Sequence, residues 1–302
     1  MAISTLLQHW VDTLGEVKLP VLARTAAEIE RLRGDEDGAT PKRIAQVVLH
    51  DPIMTVKVLQ YLQKNRKQRS TEITTIAHAL MMLGTGPFFT HFVEQTSIED
   101  RLAEDTAALS GVQHVMSRAR HAALYAQDWA QLRHDVDPEE VMIAALLHDI
   151  AELMLWCFAP VLALEIADRQ QRDSALRSED AQRAVLGFRL LDLQLELVRA
   201  WQLPDLLHVL MDETRTHNPR VQNVALAAAV ARHSALGWDN LALPHDYEHI
   251  AELLSLSPDE VSARIARIAD QAAAEWDWYG VPPLERLTAD EAAAHHGGPA
   301  LA

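Results

Sequence analysis

Apolar positions recur with a 3.6-residue period along most of the chain, the spacing of one helix face. Leu22, Ala26, Ile29 and Leu32 line one such face, Ile44, Val47 and Val48 a second, and Met54, Val58, Tyr61 and Leu62 a third. Val141, Ala144, Ala145, Leu147, Ile150, Ala151 and Met154 make a wider stripe, as a well-buried helix requires. Polar punctuation falls between the stripes. Thr40-Pro41, Asp51-Pro52, Asp137-Pro138 and Ser257-Pro258 each put a capping side chain before a proline, which marks a helix start. Two of these extend to a capping box, Asp137 with Glu140 and Ser257 with Glu260, in which each side chain takes a free backbone N–H. Strand signals are nearly absent: there is no Asn-Gly hairpin and no clear alternating β-branched run. The pattern predicts an all-α protein.

Two stretches read as connections. Gly34 to Gly38 is a short acidic turn, and the polar stretch from Glu94 to Gly111 joins two helical sub-bundles. The division this suggests is an N-terminal helical sub-bundle over residues 1–100, a second bundle over 107–240, and a C-terminal helical extension over 241–302. Its last residues, Ala292 to Ala302, read as a frayed tail in which His295 and His296 have no role.

Composition narrows the function classes. The chain has 302 residues, 49% of them hydrophobic and only 11 of them glycine, the profile of an ordinary globular protein. Cys157 is the only cysteine, so neither an internal disulfide nor a zinc ribbon can form, and it reads as a small core residue. No uninterrupted apolar run approaches the ~18 residues of a membrane span. Met1 to Val11 lacks a basic region followed by an apolar stretch, so a cytoplasmic protein with no membrane partner is expected. The net charge of −16 repels phosphates and argues against a nucleic-acid partner. Lys57, Lys64, Arg66, Lys67 and Arg69 form a local basic run, read as a solvated helix end and loop or, alternatively, as a docking patch for an acidic partner.

His-Asp dipeptides occur at His50-Asp51, His134-Asp135, His148-Asp149 and His245-Asp246. Only His148-Asp149 falls inside an apolar helical stripe, where two polar side chains need a buried reason to be present. Asp51 is better read as a helix cap. The surrounding run Ala144-Ala145-Leu146-Leu147-His148-Asp149-Ile150 resembles the core motif of the HD hydrolase superfamily. Residues 17–84 are similar to the HDOD family within it. They carry in order Leu19-Pro20, the acidic turn, Ile44 to Val48, Asp51-Pro52, Val58-Leu59 and Ala79-Leu80-Met81-Met82-Leu83-Gly84. Leu186-Gly187-Phe188 followed by Trp201-Gln202-Leu203-Pro204 resembles the late HDOD signature, with Trp201 as a core anchor. The resemblance covers roughly residues 15–240, and nothing familiar lies beyond. It implies an HD-like multi-helix bundle with an N-terminal helical sub-bundle, acting in bacterial signal transduction.

The resemblance also implies which metal ligands an active relative would carry. The first histidine would lie where Arg118 stands, with His121 one turn later; a second would stand at Leu190. A His pair is expected about ten residues after Leu203-Pro204, where Thr214 and Arg215 lie between His208 and His217. The last carboxylate would lie near Ala227-Ala228, yet Val221 to Trp238 contains no Asp or Glu. Glu152 takes the place of a lysine that could neutralise a phosphate. The expectation is therefore no catalytic residue, no metal and no cofactor, with His148 and Asp149 a residual buried pair that serves folding. The partner is an unidentified signalling protein. The competing reading is a metal-dependent phosphohydrolase with an atypical ligand set, in which His121 replaces the missing histidine and a divalent metal sits at His148 and Asp149. A pocket that binds a nucleotide without hydrolysing it is a third reading.

Overall fold

The computed structural model describes residues 5–35, 38–65, 72–173 and 176–282. Arg66, Lys67 and Arg69 of the basic run, Glu36 and Asp37 of the acidic turn, and the tail with His295 and His296 lie outside the described residues. Among the described residues every regular element is helical. The N-terminal part contains α1 (Thr5–Glu16), α2 (Ala23–Arg33), α3 (Pro41–Val48), α4 (Pro52–Asn65), α5 (Ile76–Leu83), α6 (Thr85–Phe92) and α7 (Ile98–Arg101). The middle contains α8 (Thr106–Leu132), α9 (Pro138–Leu146), α10 (Ile150–Phe158), α11 (Pro160–Arg172), α12 (Ser178–Leu186), α13 (Leu190–Ala200), α14 (Asp205–Met211) and α15 (Pro219–His233). The chain continues through α16 (Leu243–Leu254), α17 (Pro258–Ala273) and α18 (Trp276–Tyr279).

The long helix α8 is the axis of the molecule. It packs against α9, α10, α15, α17 and α18. Its inner face alternates small and large side chains, with Ala119, Ala122, Ala123 and Ala126 beside Tyr125 and Trp129, all buried. The alanines let neighbouring backbones approach while the aromatics fill the space between helices. Helices α2 to α6 form the N-terminal sub-bundle, but α1 leaves it and packs on α13. The C-terminal extension is not an appendage: α16 packs on α15, and α17 and α18 pack on α8.

The capping signals hold at Thr40, whose side chain accepts from the Arg43 N–H, and at Ser257, which forms a full capping box with Glu260. Asp51 is wholly buried and caps α4 through the N–H groups of Ile53 and Met54, while its other oxygen accepts from Leu22 N–H. The box at Asp137 does not form. Asp137 accepts from Glu139 N–H, and Glu140 instead accepts from Thr74 and pairs with Arg220. Trp201 and Cys157 are both buried core residues, as expected.

The stretch from Glu94 to Gly111 is not a simple polar linker. Ile98 and Leu102 are buried, and Ser97 caps the short helix α7. Helix α8 already begins at Thr106, so Gly111 lies within it, and a Cβ there would come 2.5 Å from the Trp156 ring. The apolar-run reading also needs correction. By mean hydropathy Pro138–Phe158 is long and apolar enough to cross a membrane, but 83% of its most apolar window is buried inside the bundle.

Candidate functional site

His148 and Asp149 do not sit mid-helix. The stripe from Val141 to Met154 breaks between α9 and α10. Here His148 N–H donates to the Ala145 carbonyl at 3.2 Å and Ile150 N–H to Leu147 at 3.0 Å, the tighter three-residue turn of a helix end. The periodicity carries across the break because both helices bury their apolar face in one core, so no local signal marks it. The break turns the two polar side chains out of the core and into a cleft of about 180 Å³.

In that cleft Asp149 is held by cations. The guanidinium of Arg118, from α8, donates to Asp149 Oδ2 at 2.8–2.9 Å and to Glu152 Oε2 at 2.6 Å. Arg232, from α15, donates to Asp149 Oδ1 at 3.1 Å. His148 is bracketed by carboxylates, with Nδ1 at 3.3 Å from Asp149 Oδ1 and Nε2 at 3.0 Å from Glu213 Oε1. Burial pushes the Asp149 carboxyl up, but Arg118 and Arg232 outweigh it and hold the group well below the usual range. Burial would likewise lower His148, yet its hydrogen bonds with Asp149 and Glu213 lift it to about 9. Each carboxylate therefore keeps its charge at neutral pH, and the imidazolium donates from both nitrogens.

The arrangement does not fit a divalent metal. Both ring nitrogens of His148 are spent as donors, whereas a metal needs a neutral imidazole with a free lone pair. Both oxygens of Asp149 face guanidinium groups, whose positive charge opposes a second cation. Among the described residues no three His, Cys, Asp or Glu side chains cluster as a metal would need. Arg118, which the resemblance puts at the position of the first histidine, lies against the His-Asp pair. Leu190 lines the same cleft and is buried, presenting methyl groups in place of an imidazole. Ala227 and Ala228 are buried in α15.

His121 is not brought to His148. It lines a separate cleft on another side of Arg118, and its Nδ1 lies 2.8 Å from the Ser117 carbonyl. His217 is exposed and His208 half-buried; neither lines the Asp149 cleft. Sequence reasoning missed Glu213, Arg232 and Gln194. Glu213 adjoins the Thr214-Arg215 region singled out for missing ligands, and Arg232 stands alone as a basic residue in the apolar stretch around Ala227; both were weak signals. Gln194 lines the cleft, is buried, and its Nε2 has no hydrogen-bond partner.

The raised pKa of His148 makes stability pH-dependent. The folded value lies above the ordinary ~6.5 of an unfolded histidine. The group therefore stabilises the fold fully below about pH 6.5, and that contribution is lost as pH rises through about 9. Melting temperature is expected to fall across this window in the wild type. A His148→Gln variant should show a flatter profile there, and identical slopes would refute the assignment.

Comparison with known proteins gives the family and the fold. The family model for the HDOD domain matches residues 19–218. No match emerged among the curated proteins compared. Among solved structures, the MmoQ response regulator of Methylococcus capsulatus str. Bath is 21% identical, with a TM-score of 0.61 over 82% of this chain and 97% of that one. A virulence factor of Campylobacter jejuni subsp. jejuni is 19% identical, with a TM-score of 0.63 over 88% of this chain and 99% of the other. An HDOD domain protein with unknown function from Geobacter sulfurreducens is 16% identical, with a TM-score of 0.51 over 91% and 97%. At these identities the likeness shows a shared fold.

Proposed function

Because the chain belongs to the HDOD domain family, we propose that it is a non-catalytic signalling module that acts by binding another protein in the bacterial cytoplasm. One observation carries the reading: the guanidinium groups of Arg118 and Arg232 lie on Asp149, where an HD hydrolase would hold its metal. A hydrolase of that type depends on a metal-bound hydroxide. Here internal cations neutralise Asp149 instead, and the site closes on itself as a charge-paired network. The names of two related folds, a response regulator and a virulence factor, fit a signalling role without assigning one.

The test is metal content and turnover together. Tag-free protein should hold less than one equivalent of transition metal. It should show no hydrolysis of cyclic or linear nucleotides when manganese, nickel or iron is added. One equivalent or more of metal with measurable hydrolysis would overturn the reading in favour of an atypical phosphohydrolase. The partner should be identified by cross-linking in the cells the protein comes from. It should still be captured by His148→Gln, because the proposal assigns the contact to the surface and not to this cleft.

A further inference from the structure

A second cleft opens beside Arg118, away from Asp149, and lies between α8, the end of α15 and the C-terminal extension. Its volume is about 100 Å³. The helices that close it, α17 and α18, lie beyond the stretch that the family model matches. Five alanines, among them Ala235 and Ala269, supply much of its apolar wall, with the indoles of Trp238 and Trp276 at its border and Ser234 and Asp270 among its polar lining. Trp276 is 47% exposed, a large apolar surface left open to solvent. Methyl groups beside indoles suit an apolar ring.

Within the polar lining, His121 offers a neutral acceptor. Its Nδ1 lies 2.8 Å from the Ser117 carbonyl, one turn back on α8, so this nitrogen carries the proton and donates. Nε2 is then a lone pair, an acceptor, on a side chain that lines the cleft. Burial pushes the ring pKa down, which keeps it in this neutral form. The strong cation nearby, Arg118, is committed to Asp149 and Glu152 and leaves no unpaired positive group for a phosphate.

We propose that this cleft binds a small, uncharged, planar heteroaromatic molecule that carries an N–H at its edge, with the ring between the alanine walls and the N–H donating to His121 Nε2. The site is distinct from the Asp149 cleft, and its failure would leave the non-catalytic reading standing.

Benzimidazole is a suitable probe, with 1-methylbenzimidazole as a matched ring that lacks the N–H. Binding is measured by saturation-transfer NMR and by quenching of tryptophan fluorescence, on the full chain. Benzimidazole is expected to bind saturably and its N-methyl analogue about tenfold more weakly, the loss that one hydrogen bond represents. Ala235→Leu, which pushes a larger side chain towards the cleft, should abolish binding. His121→Phe keeps a ring but removes the acceptor, and should make the two probes equivalent. Thermal melts establish that each variant is folded, and either variant alone suffices if the other is not. Absence of saturable binding by the wild type, equal affinity for the two probes, or undiminished binding by Ala235→Leu would each overturn the proposal.

Discussion

Asp149→Ala should lower the melting temperature substantially, and added metal or chelator should make no difference. The reason is the company Asp149 keeps. Its side chain is 10% exposed and pairs with Arg118, which is 13% exposed, and with Arg232. Removing the carboxylate leaves the buried guanidinium of Arg118 with Glu152 alone and leaves His148 with Glu213 alone. Breaking a buried pair by deleting one partner costs about 3–5 kcal/mol, because the surviving charge is desolvated without compensation. At roughly 2–4 °C per kcal/mol for a domain of this size, that is a fall on the order of 10 °C. A metal site behaves in the opposite way. Clustered ligand carboxylates repel when the metal is absent, so deleting one leaves the apo-protein as stable or more so. Differential scanning of wild type and variant, each with chelator and with manganese, separates the two. An unchanged or raised melting temperature, with metal stabilising only the wild type, would defeat the charge-paired description.

The fold was legible because helices announce themselves locally. Thr40-Pro41, Asp51-Pro52 and the Ser257–Glu260 box are short-range signals that tertiary structure had no reason to override. The break at Leu147–Asp149 was not legible. Two short helices that bury the same face keep one hydrophobic phase, and no glycine or proline marks the join. The site was half legible for a related reason. A His-Asp pair in an apolar run demands partners, and the family resemblance put Arg118 at the position of a metal-ligating histidine. Glu213 and Arg232 come from α15 and the loop before it, and only the packing of α15 across α8 and α9 brings them to the pair. Asp137 failed as a box for the same kind of reason: Arg220 lies close enough to draw Glu140 away from the helix start.

Arg120→Met should be the second strongly destabilising change, acting at a place no motif marked. Arg120 lies on α8 and is 8% exposed. Its Nε and Nη2 donate to the two oxygens of Glu275 at 2.7 and 3.1 Å, a forked pair, and Nη1 reaches the Leu49 carbonyl at 3.3 Å. Glu275 also lies 3.1 Å from His50 Nε2. His50 in turn stacks on Trp278 at 4.2 Å, and its carbonyl accepts from the Tyr279 hydroxyl. One buried arginine thus ties α8, the turn before α4 and the C-terminal helix α18 together. Removing it leaves Glu275 half-buried without its fork, a loss of about 3 kcal/mol at the lower end for a broken buried pair. Glu275→Gln should cost a similar amount, and the double variant less than the sum, since neither charge is then left alone. Burial raises the Glu275 carboxyl, but hydrogen bonds from His50 and Arg120 outweigh it and bring the pKa down to about 2. The folded value is below the ordinary ~4.3, so the pair stabilises the protein above that pH and its contribution is lost as pH falls towards 2. Urea melts between about pH 3 and 7 should therefore show a steep acid limb in the wild type, and Glu275→Gln should flatten it. Additive single-variant losses, or an acid limb unchanged by Glu275→Gln, would mean that α18 is held by its aromatic contacts alone.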